Sequence, residues 1–213
     1  MRHSVIFRLQ LLVGVMMILA RPATSQTAAP QERPLLAGRH TIRLTIGMKT
    51  NTKIAATVTP GKVNLESGFV GSLGYGYWFE EEWQLGFSGG ILAAQSNVEY
   101  GNVSSWSIVP VLFGINYYPT QVAMGKVGRP YIGASGGPYI GAASWVGGLS
   151  GTGSTVETVP GARFVLGVDL HVGPWFMLGP TVAYHLVGKF SEIAIEKTDF
   201  SGVEFSLTLG ALL

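Results

Sequence analysis

The chain has 213 residues, no cysteine, 30 glycines, 47% hydrophobic residues and only 12% charged residues. Average soluble domains carry about 25% charged residues, so this composition points to a solvent other than water. The lack of cysteine excludes a disulfide framework, a thiolate metal centre, a catalytic thiol and a lipidated N-terminal cysteine.

Residues 1–25 read as a secretory signal. Arg2 and Arg8 form a basic start, Leu9–Ala20 an apolar core, and Ala23-Thr24-Ser25 a small-residue cleavage site. The core is shorter than the ~20 residues a membrane-spanning helix needs. Removal takes Arg2, Arg8 and Arg21 from the 14 basic residues and leaves 11 against 12 acidic ones. The mature chain is thus nearly neutral, which gives no basis for nucleic-acid binding. The stretch 26–38, QTAAPQERPLLAG, is expected to be a flexible lead-in.

From residue 39 to 213 the pattern is period-2 alternation broken by turn residues, with no helix-period run. The first predicted strand, 39–49, sets Ile42, Leu44, Ile46 and Met48 against Thr41, Arg43, Thr45 and Gly47. The second, 67–79, sets Phe69, Leu73, Tyr75, Tyr77 and Phe79 against glycines and Ser72, and Glu80-Glu81-Glu82 follows as a tight turn. The third covers 83–97, with Trp83, Leu85, Phe87 and Ile91 on one face; the fourth covers 105–118, with Val109, Val111, Phe113, Ile115 and Tyr117. The fifth, 129–144, holds too much glycine and alanine to reveal its phase.

The sixth predicted strand, 160–172, sets Phe164, Leu166, Val168, Leu170 and Val172 against Arg163, Gly167, Asp169 and His171. A turn at Gly173-Pro174 leads to the seventh, 175–188, where Phe176, Leu178, Val182, Tyr184 and Leu186 oppose Gly179, Thr181, Ala183 and His185. The eighth is Ser201–Leu213, with Glu204, Ser206, Thr208 and Gly210 opposite Val203, Phe205, Leu207 and Leu209. Long loops are expected at 50–66, 145–159 and 189–200, and an intermediate one at 119–128. No further domain is expected after the last strand.

Alternation alone fits a soluble or a membrane barrel. Side-chain size and charge decide between them. Arg43, Arg163, Asp169 and Glu204 all lie opposite the large apolar side chains, on a phase otherwise made of Gly, Ser, Thr, Ala and Asn. Small residues with a few charges suit the narrow interior of an eight-stranded barrel. The opposite face suits lipid, with Tyr77, Trp83, Tyr117, Trp175 and Tyr184 as interfacial aromatics. The fold class expected is therefore all-β: an eight-stranded antiparallel up-and-down transmembrane β-barrel over 39–213. Closure would bring Arg43 and Glu204 to one seam, where they are expected to pair. Arg163, Asp169, His171 and His185 are expected to complete an interior polar network.

The stretches SIVPVLFGINYYP (107–119) and RPYIGASGGPYIG (129–141), with the amphipathic last strand, resemble the small outer-membrane β-barrels of OmpA/OmpX type, including OmpW-like ones. The resemblance covers 39–213. It implies a bacterial outer-membrane location with both termini periplasmic, contact with outer-membrane lipid and lipopolysaccharide, and insertion by the outer-membrane assembly machinery. That machinery reads a last strand usually ending in an aromatic residue; this chain ends in Leu213, with Phe205 further in.

The expected function is a monomeric barrel with a filled lumen, acting structurally or through its extracellular loops. The alternative is a narrow pore or an OmpW-like conduit for small hydrophobic molecules, with Val70, Leu92, Ile108 and Leu112 as apolar inward candidates. A lipid A-modifying enzyme is a third reading. It needs a serine beside a histidine base, and His185 is followed by Leu186 and Val187 instead of the His-x-Ser of the deacylase relatives. No catalytic, cofactor or metal residues are assigned. GGLSGTGST (147–155) lacks the Lys-Ser/Thr of a phosphate loop and is expected to be a mobile loop. The triple glutamate is expected to be a solvated turn.

Overall fold

The computed structural model describes residues 36–50, 55–60, 62–99, 102–122, 127–147, 151–191 and 200–213. The signal stretch and residues 26–35 of the lead-in lie outside the described residues. Eleven strand segments run in order: β1 His40–Lys49, β2 Ala55–Thr59, β3 Lys62–Ser67, β4 Phe69–Trp78, β5 Trp83–Ile91, β6 Ala93–Glu99, β7 Asn102–Tyr117, β8 Gly128–Gly147, β9 Gly151–Val172, β10 Phe176–Val187 and β11 Gly202–Leu212. A 3-10 turn covers Thr120–Val122.

Each neighbouring pair is antiparallel, and β1 pairs both β4 and β11, so the sheet closes on itself. Segments β3 and β4 form one stave interrupted at Gly68, and β5 and β6 another interrupted at Leu92. The result is an eight-stranded barrel. Closure extends to the last residue, where Leu213 N donates to His40 O at 2.9 Å.

The in–out phase follows the alternation. Ile42, Leu44, Ile46 and Met48 are exposed outward, as are Phe69, Leu73, Tyr75, Phe113, Phe164, Phe205, Leu207 and Leu209. Thr41, Thr45, Gln84, Asp169, Thr181, Glu204 and Thr208 are buried inside. The fifth stave, β8, turns Tyr131 and Tyr139 inward and Ile132 outward.

Strand extents differ from expectation. The connection 50–66 contains the β2–β3 hairpin, and most of 145–159 belongs to β8 and β9, which leave only 148–150 between them. Gly147 and 151–155 are therefore paired strand and not part of a long mobile loop; 148–150 lie outside the described residues. Thr152 to Thr155 keep a paired backbone, but their side chains are too small to show an alternation of polarity. At the other end of the barrel, Gly173 holds φ at +77°, a left-handed turn conformation that glycine adopts without strain.

Inside, three layers stack along the axis. Leu36, Trp78, Tyr118, Tyr131, Met177 and Leu212 form an apolar floor at the end holding the first and last described residues. Val70, Leu92, Ile108, Leu112, Tyr139 and Val187 form an upper apolar cluster, closed by Phe190 and Phe200 from the connection between β10 and β11. Charged and hydroxyl side chains lie between.

Candidate functional site

The polar middle layer holds two charge clusters. Arg43 on β1 reaches across the lumen to Asp169 on β9, Nη2 to Oδ2 at 2.7 Å. Tyr118 completes this cluster: its hydroxyl accepts from Arg43 Nη2 at 2.6 Å and donates to Asp169 Oδ2 at 2.9 Å. The guanidinium also lies 5.6 Å from the centre of the Tyr131 ring. In the second cluster Glu204 on β11 meets Arg163 at 3.2 Å, His185 Nε2 at 2.6 Å and Ser206 Oγ at 2.6 Å. Tyr139 holds the other side of that imidazole, its hydroxyl 3.0 Å from Nδ1.

Hydroxyls occupy the space between the clusters. Thr45 and Thr208 lie 3.1 Å apart, Thr208 and Thr181 3.3 Å, and Thr181 and Tyr131 3.1 Å. The facing wall is Gly and Ser from β4, β5 and β7, and it leaves a cavity of about 100 Å³ lined by Arg43, Arg163, His185 and Glu204. A polar cavity needs roughly 10–15 Å³ to admit one water, and a water's share of the liquid is about 30 Å³, so this space accommodates a few. Gly76 shows why the wall is small. A Cβ there would lie 2.6 Å from both Gln84 Nε2 and Thr41 Oγ1, which share a 2.9 Å hydrogen bond.

The expected Arg43–Glu204 pair does not form. The β1–β11 seam exists, but it places Gly210 opposite Arg43 and Lys49 opposite Glu204. The two charges are thus offset by roughly 20 Å along the strands. His171 joins neither cluster: it is buried, and both its ring nitrogens lack a hydrogen-bond partner.

The interior also uses residues that the sequence reading did not select. Tyr118 sits just past a strand end, and Tyr139 sits in the strand of unreadable phase. Lys49 shares the inward phase of Arg43, a signal that was available; it is buried and donates to the Phe200 carbonyl.

The geometry can be set beside solved structures. Ail, the attachment invasion locus protein of Yersinia pestis, in complex with the heparin analogue sucrose octasulfate, is 14% identical, with a TM-score of 0.51 over 83% of this chain and 99% of that one. The outer membrane protein OprG from Pseudomonas aeruginosa is 14% identical, with a TM-score of 0.51 over 84% of this chain and 97% of that one. No protein-family model and no curated protein matches the sequence. The fold is that of the small eight-stranded outer-membrane barrels.

An outer-membrane barrel of this kind has its aromatics on the outer surface near the rims. Trp83 and Tyr117 lie in ring contact at 4.6 Å on paired strand ends beside the floor. Tyr77 and Trp175 are exposed at the same end, and Arg39 lies 5.6 Å from the Trp175 ring. Tyr184 is exposed toward the opposite end of β10.

The triple glutamate is a clasp as well as a turn. Glu81 Oε1 accepts the backbone N–H of Leu36 at 2.7 Å and of Ala37 at 2.9 Å. Glu82 Oε1 accepts the Thr120 hydroxyl at 2.6 Å. Leu36–Gly38, expected within the flexible lead-in, are therefore tied against the floor, with Leu36 fully buried.

Proposed function

We propose that this chain is an integral outer-membrane protein whose barrel is a plugged support and whose work is done by its projecting hairpins. The observation that carries this reading is the unequal height of the wall. A tilted transmembrane strand needs about 9–11 residues. Segments β10 and β11 have 12 and 11, whereas β8 and β9 have 20 and 22. The excess stands beyond the apolar belt, with its backbone paired, as a platform.

The outward apolar belt supports contact with outer-membrane lipid and lipopolysaccharide through the aromatics at its edges. The first and last described residues meet at the end away from the tall hairpins, which supports periplasmic termini. The amphipathic closing strand is the element the assembly machinery would read.

The conduit reading is not favoured. Its apolar candidates Val70, Leu92, Ile108 and Leu112 are buried in one cluster with Phe190 and Phe200, so the chain fills its own greasy site. An enzyme is not favoured either. Ser206 bonds the carboxylate of Glu204 while His185 bonds the other oxygen, so the serine is not delivered to the imidazole as a nucleophile requires. Asp169 and His171 share a face, but neither ring nitrogen of His171 bonds the carboxylate.

Single-channel recording in planar bilayers tests the plug. The expected trace is silent, and a sustained, reproducible open level in the unmodified protein overturns the reading. Extracted protein is also expected to shift on SDS gels after boiling.

A further inference from the structure

We infer that the wall above Pro110, Pro138 and Pro160 is a hinged flap, held to the upper stopper by Glu157 and Trp106. This rests on the projecting-hairpin reading above.

Proline has no backbone N–H, so inside a sheet it removes a ladder bond. Three of the chain's prolines sit inside strands at one level of the wall. Pro110 on β7 faces Tyr139 on β8, and the neighbouring Pro138 faces Pro160 on β9. The direction of each missing donor follows from bonds that do form. Gly188 N donates to Pro160 O at 2.9 Å, so Pro160 turns its backbone groups toward β10. The residue opposite in an antiparallel pair then turns away as well, so Pro138 aims at β7. Leu92 N donates to Ile108 O at 2.9 Å, so Pro110, two residues along, aims at β5.

The ladder is interrupted where each proline points. Between β7 and β8 the pairs run to Phe113↔Gly136 and resume at Pro110↔Tyr139, with none at Val111 or Leu112. Between β7 and the β5–β6 stave they stop at Gly89↔Val111 and resume at Ala93↔Ile108. There Gly90, Ile91 and Leu92 face Val109 and Pro110 in a bulge. Between β9 and β10 the pairs end at Gly161↔Val187. Of the interfaces on this line, only β8–β9 crosses it unbroken, from Gly128↔Leu170 to Gly147↔Gly151.

A sheet bends most readily where its cross-strand bonds are missing, so the line separates two units. Below it lies the closed barrel. Above it stand β6, 102–109 of β7, 139–147 of β8 and 151–159 of β9, paired to one another.

Two contacts tie the upper unit to the stopper. The carboxylate oxygens of Glu157 accept the backbone N–H of Ser191 at 2.9 and 3.0 Å, and one accepts its hydroxyl at 2.8 Å. Trp106 stands edge-on to Phe200 at 5.1 Å. Ser191 follows Phe190 directly, and with Phe200 they belong to the connection between β10 and β11. Flap and stopper therefore move together while the latch holds. The Glu157 bonds are exposed, so water competes for them, and the latch opens there first.

The chain has no cysteine, so spin labels go only where cysteines are introduced. The test places them at Ser154→Cys on the flap and Met48→Cys on β1, and reads their separation by double electron–electron resonance in phosphatidylcholine vesicles. Ser154 lies about 20 Å above Pro160 along β9, so a tilt of about 30° displaces it by roughly 10 Å. With Glu157 intact, one distance is expected. Glu157→Ala is expected to add a second population displaced by that amount, and Glu157→Gln, which keeps one acceptor oxygen, a smaller one. A control pair below the line, Met48→Cys with Phe164→Cys, is expected to keep one distance in every variant. Pro138→Thr with Pro160→Thr restores two donors on strand-favouring residues and is expected to remove the second population from Glu157→Ala. An unchanged single distance in Glu157→Ala overturns the hinge. So does a second population that persists in the proline variant, or equal spreading of the control pair, which would mean that the barrel loosens as a whole. A wall that stays fixed in a protein silent in the bilayer loses the hinge and keeps the plugged-support reading. A sustained open level in a protein whose wall moves as expected loses the plug and keeps the hinge.

Discussion

At the scale of single residues, the interior is governed by the cost of holding charge away from water. Asp169 is buried and Arg43 largely so, and they answer one another; Tyr118 bonds both, while Arg43 Nε has no hydrogen-bond partner. Removing one partner of a buried pair strands the other charge, which costs about 3–5 kcal/mol. Asp169→Asn is therefore expected to lower stability by about that amount in urea unfolding from lipid vesicles. The partner choice is tested by double-mutant cycles. Arg43→Gln with Asp169→Asn should couple by roughly 1–3 kcal/mol, whereas Arg43→Gln with Glu204→Gln should add within about 0.5 kcal/mol. Strong coupling of the second pair would contradict the two-cluster arrangement. The inward phase of Arg43, Arg163, Asp169 and Glu204 was legible in the sequence, because period-2 alternation fixes the face of every residue. Their pairing was not. It depends on which residues share a level around the barrel, and that offset arises from strand registers between distant segments.

At the scale of elements, the sequence shows strands clearly only where large apolar side chains alternate with small ones. β1, β10 and β11 have that contrast and were legible almost to their ends. The upper halves of β8 and β9 do not: Ser144 follows two alanines, Ser154 and Thr155 follow a glycine-rich run, and composition alone suggests a loop. The backbone pairs there without help from side-chain polarity, register by register from Gly141↔Glu157 to Gly147↔Gly151. On the function proposed above this extension projects beyond the membrane, so the membrane-spanning barrel should not need it. Replacing 142–156 by a two-residue Asn-Gly turn that joins Gly141 to Glu157 is expected to leave a barrel that still shifts on boiling. A variant that no longer folds would show that the tall wall is part of the barrel's own stability. The clasp made by Glu81 and Glu82 was equally hidden, because a run of three acids says nothing about which backbone groups lie beneath it.

At the scale of the whole molecule, the described lumen is a polar layer between two apolar stoppers. The floor is sealed by Leu36 and Trp78 with Tyr118, Met177 and Leu212, and the upper end by Phe190 and Phe200 over Leu92 and Ile108. The cavity between them is already polar and roomy enough for water. The two apolar layers, and not the middle, are therefore the barriers to ions, and they act in series. Barriers in series predict a specific pattern of conductance. Phe190→Ala with Phe200→Ala opens only the upper end and is expected to remain silent in planar bilayers. Leu36→Gly with Trp78→Ala opens only the floor and is also expected to remain silent. The combined variant joins the cavity to both aqueous phases and is expected to conduct in discrete steps, provided that the boiling shift shows the barrel is intact. A floor variant that conducts alone would mean that the upper cluster does not seal. A folded combined variant that stays silent would place the barrier in the charged layer, at the Arg43–Asp169 crossing.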